Sequence, residues 1–330
     1  MNTFIERLKD PNPLIYDGGF GSELFTRGIE LTNSALANEL DPDAVVEIHS
    51  AYIEAGSEVI ATNTFVGSAL HLKMAGKDQL EAERLVKLAV RHAKTSVSKS
   101  EKKVFIAGAI GPVPGAIEAD SGDTEFGISN RIVREANDRL VNSLAEEGVD
   151  LFVLETMFSV NEAAIIVDST RKLGLPIAVN MTYKYTADPK TGKTVYRTDW
   201  GHSAEDLLNA LEGGDFSNGD NLLDYVQIFG VNCGAESRKK EHTGMPYAVE
   251  GIRQTREAIE KKGISPKWLM AFRNAGMPHL DKNHQTVYSQ TPEQMGLGVE
   301  ELLQENVYLL GGCCGTTPLH IKEICRRIGK

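Results

Sequence analysis

Three of the four cysteines in this 330-residue chain stand in glycine-rich settings that core packing does not explain. Cys233 lies in GVNCG, and Cys313 and Cys314 lie side by side in GGCCGT. A free cysteine normally hides among apolar neighbours, as Cys325 does with Ile321, Ile324 and Ile328 at helical spacing. Adjacent cysteines rarely bond to each other, and no spacing here is a CxxC knuckle. If Cys233 meets the adjacent pair, three thiolates could share one ion. That donor set suits zinc, with the fourth position open as in a catalytic site. The plainer alternative is polar loop ends with incidental thiols. It accounts for Asn63, Asn180, Asn232 and Asn274 better than for the cysteines. Asp17 and Glu155 are carboxylates that directly follow apolar runs.

Such residues can meet only if the elements carrying them end on one face. Short apolar runs at 14–16, 58–61, 104–110, 151–154, 176–181, 225–231, 268–272 and 307–310 read as strands. Helical spacing predicts helices over 42–55, 79–96, 130–147, 161–173 and 247–262, with others starting near Ser203, Thr291 and Pro318. Ser203 opens an N-cap pattern, and Pro318 suits a first helical turn. A polar loop over roughly 183–202 breaks the rhythm. Eight strands, each followed by a helix, predict parallel strands closed into a single (β/α)8 barrel. A doubly wound open sheet would want a GxGxxG turn after an early strand, and DGGFGSE does not supply one. A barrel gathers its active site at the C-terminal ends of the strands. There the ends of strands six, seven and eight would let the three sulfurs converge, and flanking glycines let both adjacent cysteines face one ion.

Lysine and arginine number 35 against 46 aspartate and glutamate, a formal net charge of -11. That field repels polyphosphate and argues against nucleic acid as a partner. No run of about 18 apolar residues offers a membrane span. The start, MNTFIERLKDPNP, lacks the basic end and apolar stretch of a secretory signal. The expectation is a cytoplasmic protein whose thiols stay reduced. No linker or longer repeat interrupts the chain, so residues 1–330 are expected to form one barrel domain.

The segments DGGFGSEL, TNTF, GAIGP, VDLFVLET, GVNCG and GGCCGTTPLHI resemble the homocysteine S-methyltransferase family over about 14–328. The resemblance implies a (β/α)8 barrel, zinc held by Cys233, Cys313 and Cys314, and methyl transfer to the homocysteine thiol to make methionine. VDLFVLETMF, FRNAGMP, TPEQM and GGCCGTTPLHI are most similar to the homocysteine-binding module of the family's cobalamin-dependent methionine synthases. It further implies that Asp17 and Glu155 hold the substrate ammonium, two carboxylates matching one cation. The Gly18-Gly19 turn then offers N–H groups to the substrate carboxylate, and Asn274 can occupy the ion before substrate arrives. The chemistry is consistent, because the thiolate is the nucleophile and a free thiol of pKa about 8.5 is mostly protonated at neutral pH. On the residues alone, Asp17 could equally cap a turn and Glu155 pair with a barrel-floor arginine.

The methyl donor is read from the loops after strands one and two. A quaternary ammonium wants an aromatic cage, and betaine-using relatives carry aromatic residues there. Here TNSALANEL and TFVGSAL place Ser34, Ala35, Val66 and Gly67, with no Trp or Tyr. The expected donor is a sulfonium, S-methylmethionine or S-adenosylmethionine, or a separate methyl-corrinoid protein, rather than betaine. Phe158, Tyr183 and Tyr185 are the residues that could rebuild a cage. A betaine–homocysteine methyltransferase, a methyltransferase acting on another thiol and a non-catalytic regulatory relative are the competing readings, and intact Asp17, Glu155 and cysteines argue against the last. His49, His71 and His92 read as helix surface or packing, and His202, His279 and His284 as loop residues. Arg238, Lys239, Lys240, Lys261 and Lys262 read as solvated faces, and Trp200 and Trp268 as packing.

Overall fold

A computed structural model describes residues 3–187, 191–192, 194–234, 245–264, 267–282 and 286–330. Eight parallel strands pair in a ring: β1 (Leu14–Ile15), β2 (Val59–Ala61), β3 (Phe105–Ile110), β4 (Leu151–Met157), β5 (Ile177–Met181), β6 (Val226–Cys233), β7 (Trp268–Arg273) and β8 (Val307–Gly312). β1 pairs with β8 through Leu14 opposite Leu309 and Ile15 opposite Leu310. The seam between β1 and β2 is bridged by Tyr16 opposite Val59 and by the Glu58 N–H, which donates to the Ile15 carbonyl at 2.8 Å. The chain is thus a (β/α)8 barrel.

Both faces of these strands are buried, which is why they read as continuous apolar runs. Leu14, Tyr16, Leu151, Val153, Met270 and Phe272 fill the barrel interior. Their neighbours Ile15, Phe152, Leu154, Leu269 and Ala271 face the helices. The helix Thr3–Arg7 seals the floor, with Phe4 fully buried and edge-on to Phe105 at 5.2 Å between ring centroids. Helices Pro42–Ala55, Gln79–Ser98, Asn130–Glu146, Val160–Arg171, Ala204–Gly213, Met245–Lys262 and Pro318–Ile328 cover the outside. The Ser203 cap is a reciprocal capping box with Asp206, and Pro318 stands in the first turn of its helix. Among the described residues, no helix is long and apolar enough to cross a membrane.

The departures from the apolar pattern fall at the strand ends. β4 continues to Met157, and its pairing with β5 slips between Leu154 and Met157. Glu155 and Thr156 therefore sit in an irregular strand end rather than beyond it, with Thr156 left-handed at φ 58°. β6 reaches Cys233, also left-handed at φ 61°, while Tyr225 ends a preceding 3-10 turn, Leu222–Tyr225. The loop expected over 183–202 carries a two-stranded hairpin, Lys184–Ala187 with Thr194–Arg197. A second hairpin, Pro278–Leu280 with Thr286–Tyr288, follows β7.

Candidate active site

The C-terminal strand ends enclose a cavity of about 680 Å3, a size typical of small-molecule sites. Asp17, Gly18, Gly19, Glu155, Cys233, Cys313 and Cys314 all line it. Among the described residues its wall holds no Lys, Arg or His.

Cys233 ends β6, and Cys313 and Cys314 follow β8, with the three Sγ atoms within 4.8 Å of one another. The Cys313 N–H donates to the Arg273 carbonyl at 2.7 Å, which ties the β8 end to β7. Asn274, just past β7, braces the cluster from outside the cavity wall. Its Nδ2 donates to Cys233 Sγ at 3.6 Å, and its Oδ1 accepts the Cys314 N–H at 3.1 Å. Hydrogen bonds from Cys313 and Cys314 hold the Cys233 thiol well below the usual cysteine range. Hydrogen bonding to the Cys233 sulfur in turn pushes Cys313 up, and Cys314 up to about 12. A cation among them would let all three sulfurs ionise together. Tetrahedral zinc–thiolate bonds of about 2.3 Å put ligand sulfurs about 3.8 Å apart, and Cys313 and Cys314 Sγ lie 3.9 Å apart. The trio therefore fits a soft divalent ion.

Two carboxyls face the same cavity, Asp17 buried and Glu155 half-buried. Asp17 Oδ2 accepts the Ala61 N–H at 2.8 Å, whereas its Oδ1 has no partner although the residue is only 1% exposed. Burial pushes the Asp17 carboxyl well up. Glu155 Oε1 accepts from the Tyr16 hydroxyl at 2.9 Å. Burial raises the Glu155 carboxyl to about 7, against the lowering effect of that bond. Its recorded partner is Tyr16, not a barrel-floor arginine, and Asp17 braces β2 rather than capping its own turn.

Two readings from sequence need correction. The Gly19 N–H already donates to Thr316 Oγ1 at 2.9 Å, so it is not free for a substrate carboxylate. A Cβ on Gly19 would lie 2.5 Å from the Cys313 carbonyl oxygen, so close packing explains that glycine. The donor side is also not ringless. Phe20 and Phe25 follow β1, Phe65 follows β2, and all three line the cavity. Of the small residues expected there only Ser34 lines it, and Ala35 is buried. Tyr183 is buried in the outer core, and neither it nor Phe158 lines the cavity. The side chain of Tyr185 lies outside the described set.

Sequence reasoning also passed over Tyr16 and Tyr288, and took Asn232 only as a polar strand end. Tyr288 comes from the second hairpin, hydrogen-bonds Cys314, and seats its ring against Gly315. Tyr16 and Asn232 directly precede Asp17 and Cys233, and that adjacency was the available signal. The remaining residues are structural. His49 is buried with its ring 4.9 Å from Phe20, and burial drives its pKa down to about 3. His71 meets Ser68, and His92 meets the Asn38 carbonyl. His202 lies against the Val160 N–H, and His279 is exposed. Cys325 is buried, with Sγ donating to the Ala55 carbonyl at 3.4 Å. Lys261 and Lys262 pair with Glu205 and Glu212. Trp200 is exposed, and Trp268 packs partly buried against the barrel interior. His284, Arg238, Lys239 and Lys240 lie outside the described residues.

The thiol cluster and the two carboxyls stand at the C-terminal mouth, where barrel enzymes keep their active sites. The family model for homocysteine S-methyltransferase matches residues 14–328, and the chain belongs to that family. It is similar in fold to the homocysteine methyltransferase MmuM from Escherichia coli. The metallated form of that protein is 19% identical, with a TM-score of 0.70 over 99% of this chain and 100% of that one. Its oxidized form gives 19% identity and a TM-score of 0.68 over 97% of each chain.

Proposed function

We propose that this chain makes methionine as a zinc-dependent homocysteine S-methyltransferase with a sulfonium methyl donor. The observation that carries the reading is one cavity holding a three-sulfur cluster and two carboxyls, the buried Asp17 with an unpartnered oxygen. Cys233, Cys313 and Cys314 would hold zinc, which when bound supplies the Lewis acidity that keeps a substrate thiol ionised at neutral pH. Asp17 and Glu155 bind the substrate ammonium through Asp17 Oδ1 and the Glu155 oxygen that Tyr16 leaves free. This grip orients the homocysteine sulfur toward the cysteines. Its lone pair attacks the donor methyl carbon, and the S–CH3 bond of the donor breaks. The bonding pair leaves with the donor sulfur, so a neutral thioether departs.

The wall supports a donor of net positive charge. It carries Asp17, Glu155 and the thiols, with Glu23 paired to Arg27, and Phe20, Phe25 and Phe65 line it as rings that suit an onium group. S-methylmethionine and S-adenosylmethionine are net cations. Betaine is net neutral, so it gains less from an acidic wall with no lysine, arginine or histidine among its described lining residues. A cavity of about 680 Å3 also favours a small donor over a separate methyl-corrinoid protein. Another acceptor thiol would leave the carboxyl pair without a purpose. The barrel is proposed to act as one domain over 1–330, in a reducing cytoplasm that suits its free thiols.

The test is initial methionine formation from homocysteine with S-methylmethionine, S-adenosylmethionine, betaine and a methylated corrinoid supplied separately to the zinc-loaded protein. Fastest turnover with a sulfonium is expected. Betaine matching the sulfoniums would overturn the donor assignment. No methionine from any donor would overturn the reaction.

A further inference from the structure

We infer that Asn232 is a positioning residue that sets both halves of the site, holding the turn that aims Glu155 and donating a hydrogen bond toward the Cys313 sulfur. The inference rests on the homocysteine reading above. Asn232 is wholly buried, one residue before Cys233. Its Oδ1 accepts the Thr156 N–H at 2.6 Å, and its Nδ2 donates to Thr156 Oγ1 at 2.8 Å. The same Nδ2 lies 3.8 Å from Cys313 Sγ, so its second N–H can serve the sulfur.

The clamp has something to hold. Thr156 sits at φ 58°, a region that β-branched residues avoid. The strand register slips at this point, so no regular ladder fixes the backbone of Glu155 and Thr156. Two bonds from one rigid amide keep Thr156 left-handed, and the residue before it is Glu155. Asn232 is itself anchored, since its carbonyl accepts from the Tyr247 hydroxyl at 3.3 Å and it pairs opposite Phe272 of β7. Asparagine is the side chain that meets these demands, with one acceptor for the Thr156 N–H and two donors for Oγ1 and sulfur. Partners of this kind orient metal ligands and tune their electron donation.

The experiment uses cobalt(II) as the probe metal, with homocysteine affinity measured by calorimetry, in the wild-type protein, Asn232→Ala, and Asn232→Ala combined with Thr156→Gly. Wild-type protein that binds neither cobalt nor homocysteine would overturn the functional reading itself. The role of Asn232 is read from differences between variants. Asn232→Ala is expected to keep its cobalt, to lose about tenfold or more in homocysteine affinity, and to shift its sulfur-to-cobalt absorption band to longer wavelength. Adding Thr156→Gly restores most of the affinity, because glycine adopts positive φ readily. The band stays shifted, because glycine donates nothing to sulfur. Asn232→Asp, nearly isosteric, keeps the acceptor for Thr156 and removes the donor to sulfur, so it too shifts the band even if the alanine variant folds poorly. The inference is overturned by wild-type affinity in Asn232→Ala, by a double variant no better than the single one, or by an unshifted band in Asn232→Asp.

Discussion

Replacing Glu155 with glutamine should make the substrate-free protein more stable and the substrate-binding protein worse. Burial raises the Glu155 carboxyl from 4.5 to about 7. The folded state therefore keeps its proton until about pH 7, while the unfolded chain releases it near 4.5. Wild-type stability falls across that window and stays lower above it, because both states are then ionised but only the folded one buries the charge. Glutamine does not titrate, and it can still accept from Tyr16. At about 1.4 kcal/mol per pH unit the gap corresponds to about 3 kcal/mol. Solvent in the open cavity reduces this to about 2 kcal/mol, a melting-temperature gain of about 4 °C for a chain of this size.

The gain should be full at pH 8, smaller at pH 6 and absent near pH 4.5. Homocysteine binding should move the other way. A charge-assisted contact to the ammonium is worth about 1.5–3 kcal/mol, so Glu155→Gln weakens binding about ten- to hundredfold at pH 8. In the wild-type protein, affinity should rise with pH up to about 7 as Glu155 ionises. Thermal melts at three pH values and calorimetric titration with homocysteine test both limbs. A melting difference that does not depend on pH would refute the buried-proton argument. Unchanged homocysteine affinity would refute the role in binding.

Cys313→Ala should lose its zinc and its activity, and full zinc occupancy by elemental analysis would remove Cys313 from the ligand set. Cys325→Ala should retain both and lose about 1 kcal/mol of stability in denaturant melts, since its buried thiol only packs and meets the Ala55 carbonyl. Asp17→Asn can still accept the Ala61 N–H through its amide oxygen, so it should keep zinc while weakening homocysteine binding about tenfold. Equal affinity by calorimetry would make Asp17 structural. Gly315→Ala should cost about 1–3 kcal/mol. Its φ is +74°, and the new Cβ would lie 2.0 Å from the Tyr288 ring. An unchanged melting temperature would show that the hairpin is not seated there.

The barrel was legible because parallel strands buried on both faces leave continuous apolar runs, and each run ends in a glycine or polar residue. The cysteines were legible because thiols beside glycines have no packing explanation. What stayed hidden depends on backbone geometry that composition does not carry. The β4 run looked finished at Leu154, yet the strand continues through a register slip that turns Glu155 toward Tyr16. The Gly18-Gly19 turn looked like an anion cradle, but Thr316, from beyond β8, takes the Gly19 N–H. That contact joins residues 297 apart in sequence, so no local pattern announces it. The aromatic wall is not announced by Trp or Tyr in the loops after strands one and two, because Phe20, Phe25 and Phe65 provide the rings.

The site gathers several features that burden folding. Thr156 and Cys233 are left-handed, and both stand at strand ends that face the cavity. Asp17, buried, and Glu155, half-buried, both have raised carboxyls, and Asp17 Oδ1 has no partner. The three thiols compete for protons around one sulfur. Each feature alone lowers stability, and features of this kind persist where the surrounding structure holds them in place. The closed barrel does this, because its strands are buried on both faces and Asn232, Asn274 and Thr316 tie its strand ends together. On the proposed reading, a substrate carrying an ammonium and a thiol would relieve several of these burdens at once. The ammonium would restore charge balance at the carboxyls and give Asp17 Oδ1 a donor, while the sulfur would enter a donor set already assembled. The arrangement would then select for a ligand that carries both groups at the right separation. A simple thiol would satisfy only the cysteines, and a simple amino acid only the carboxyls.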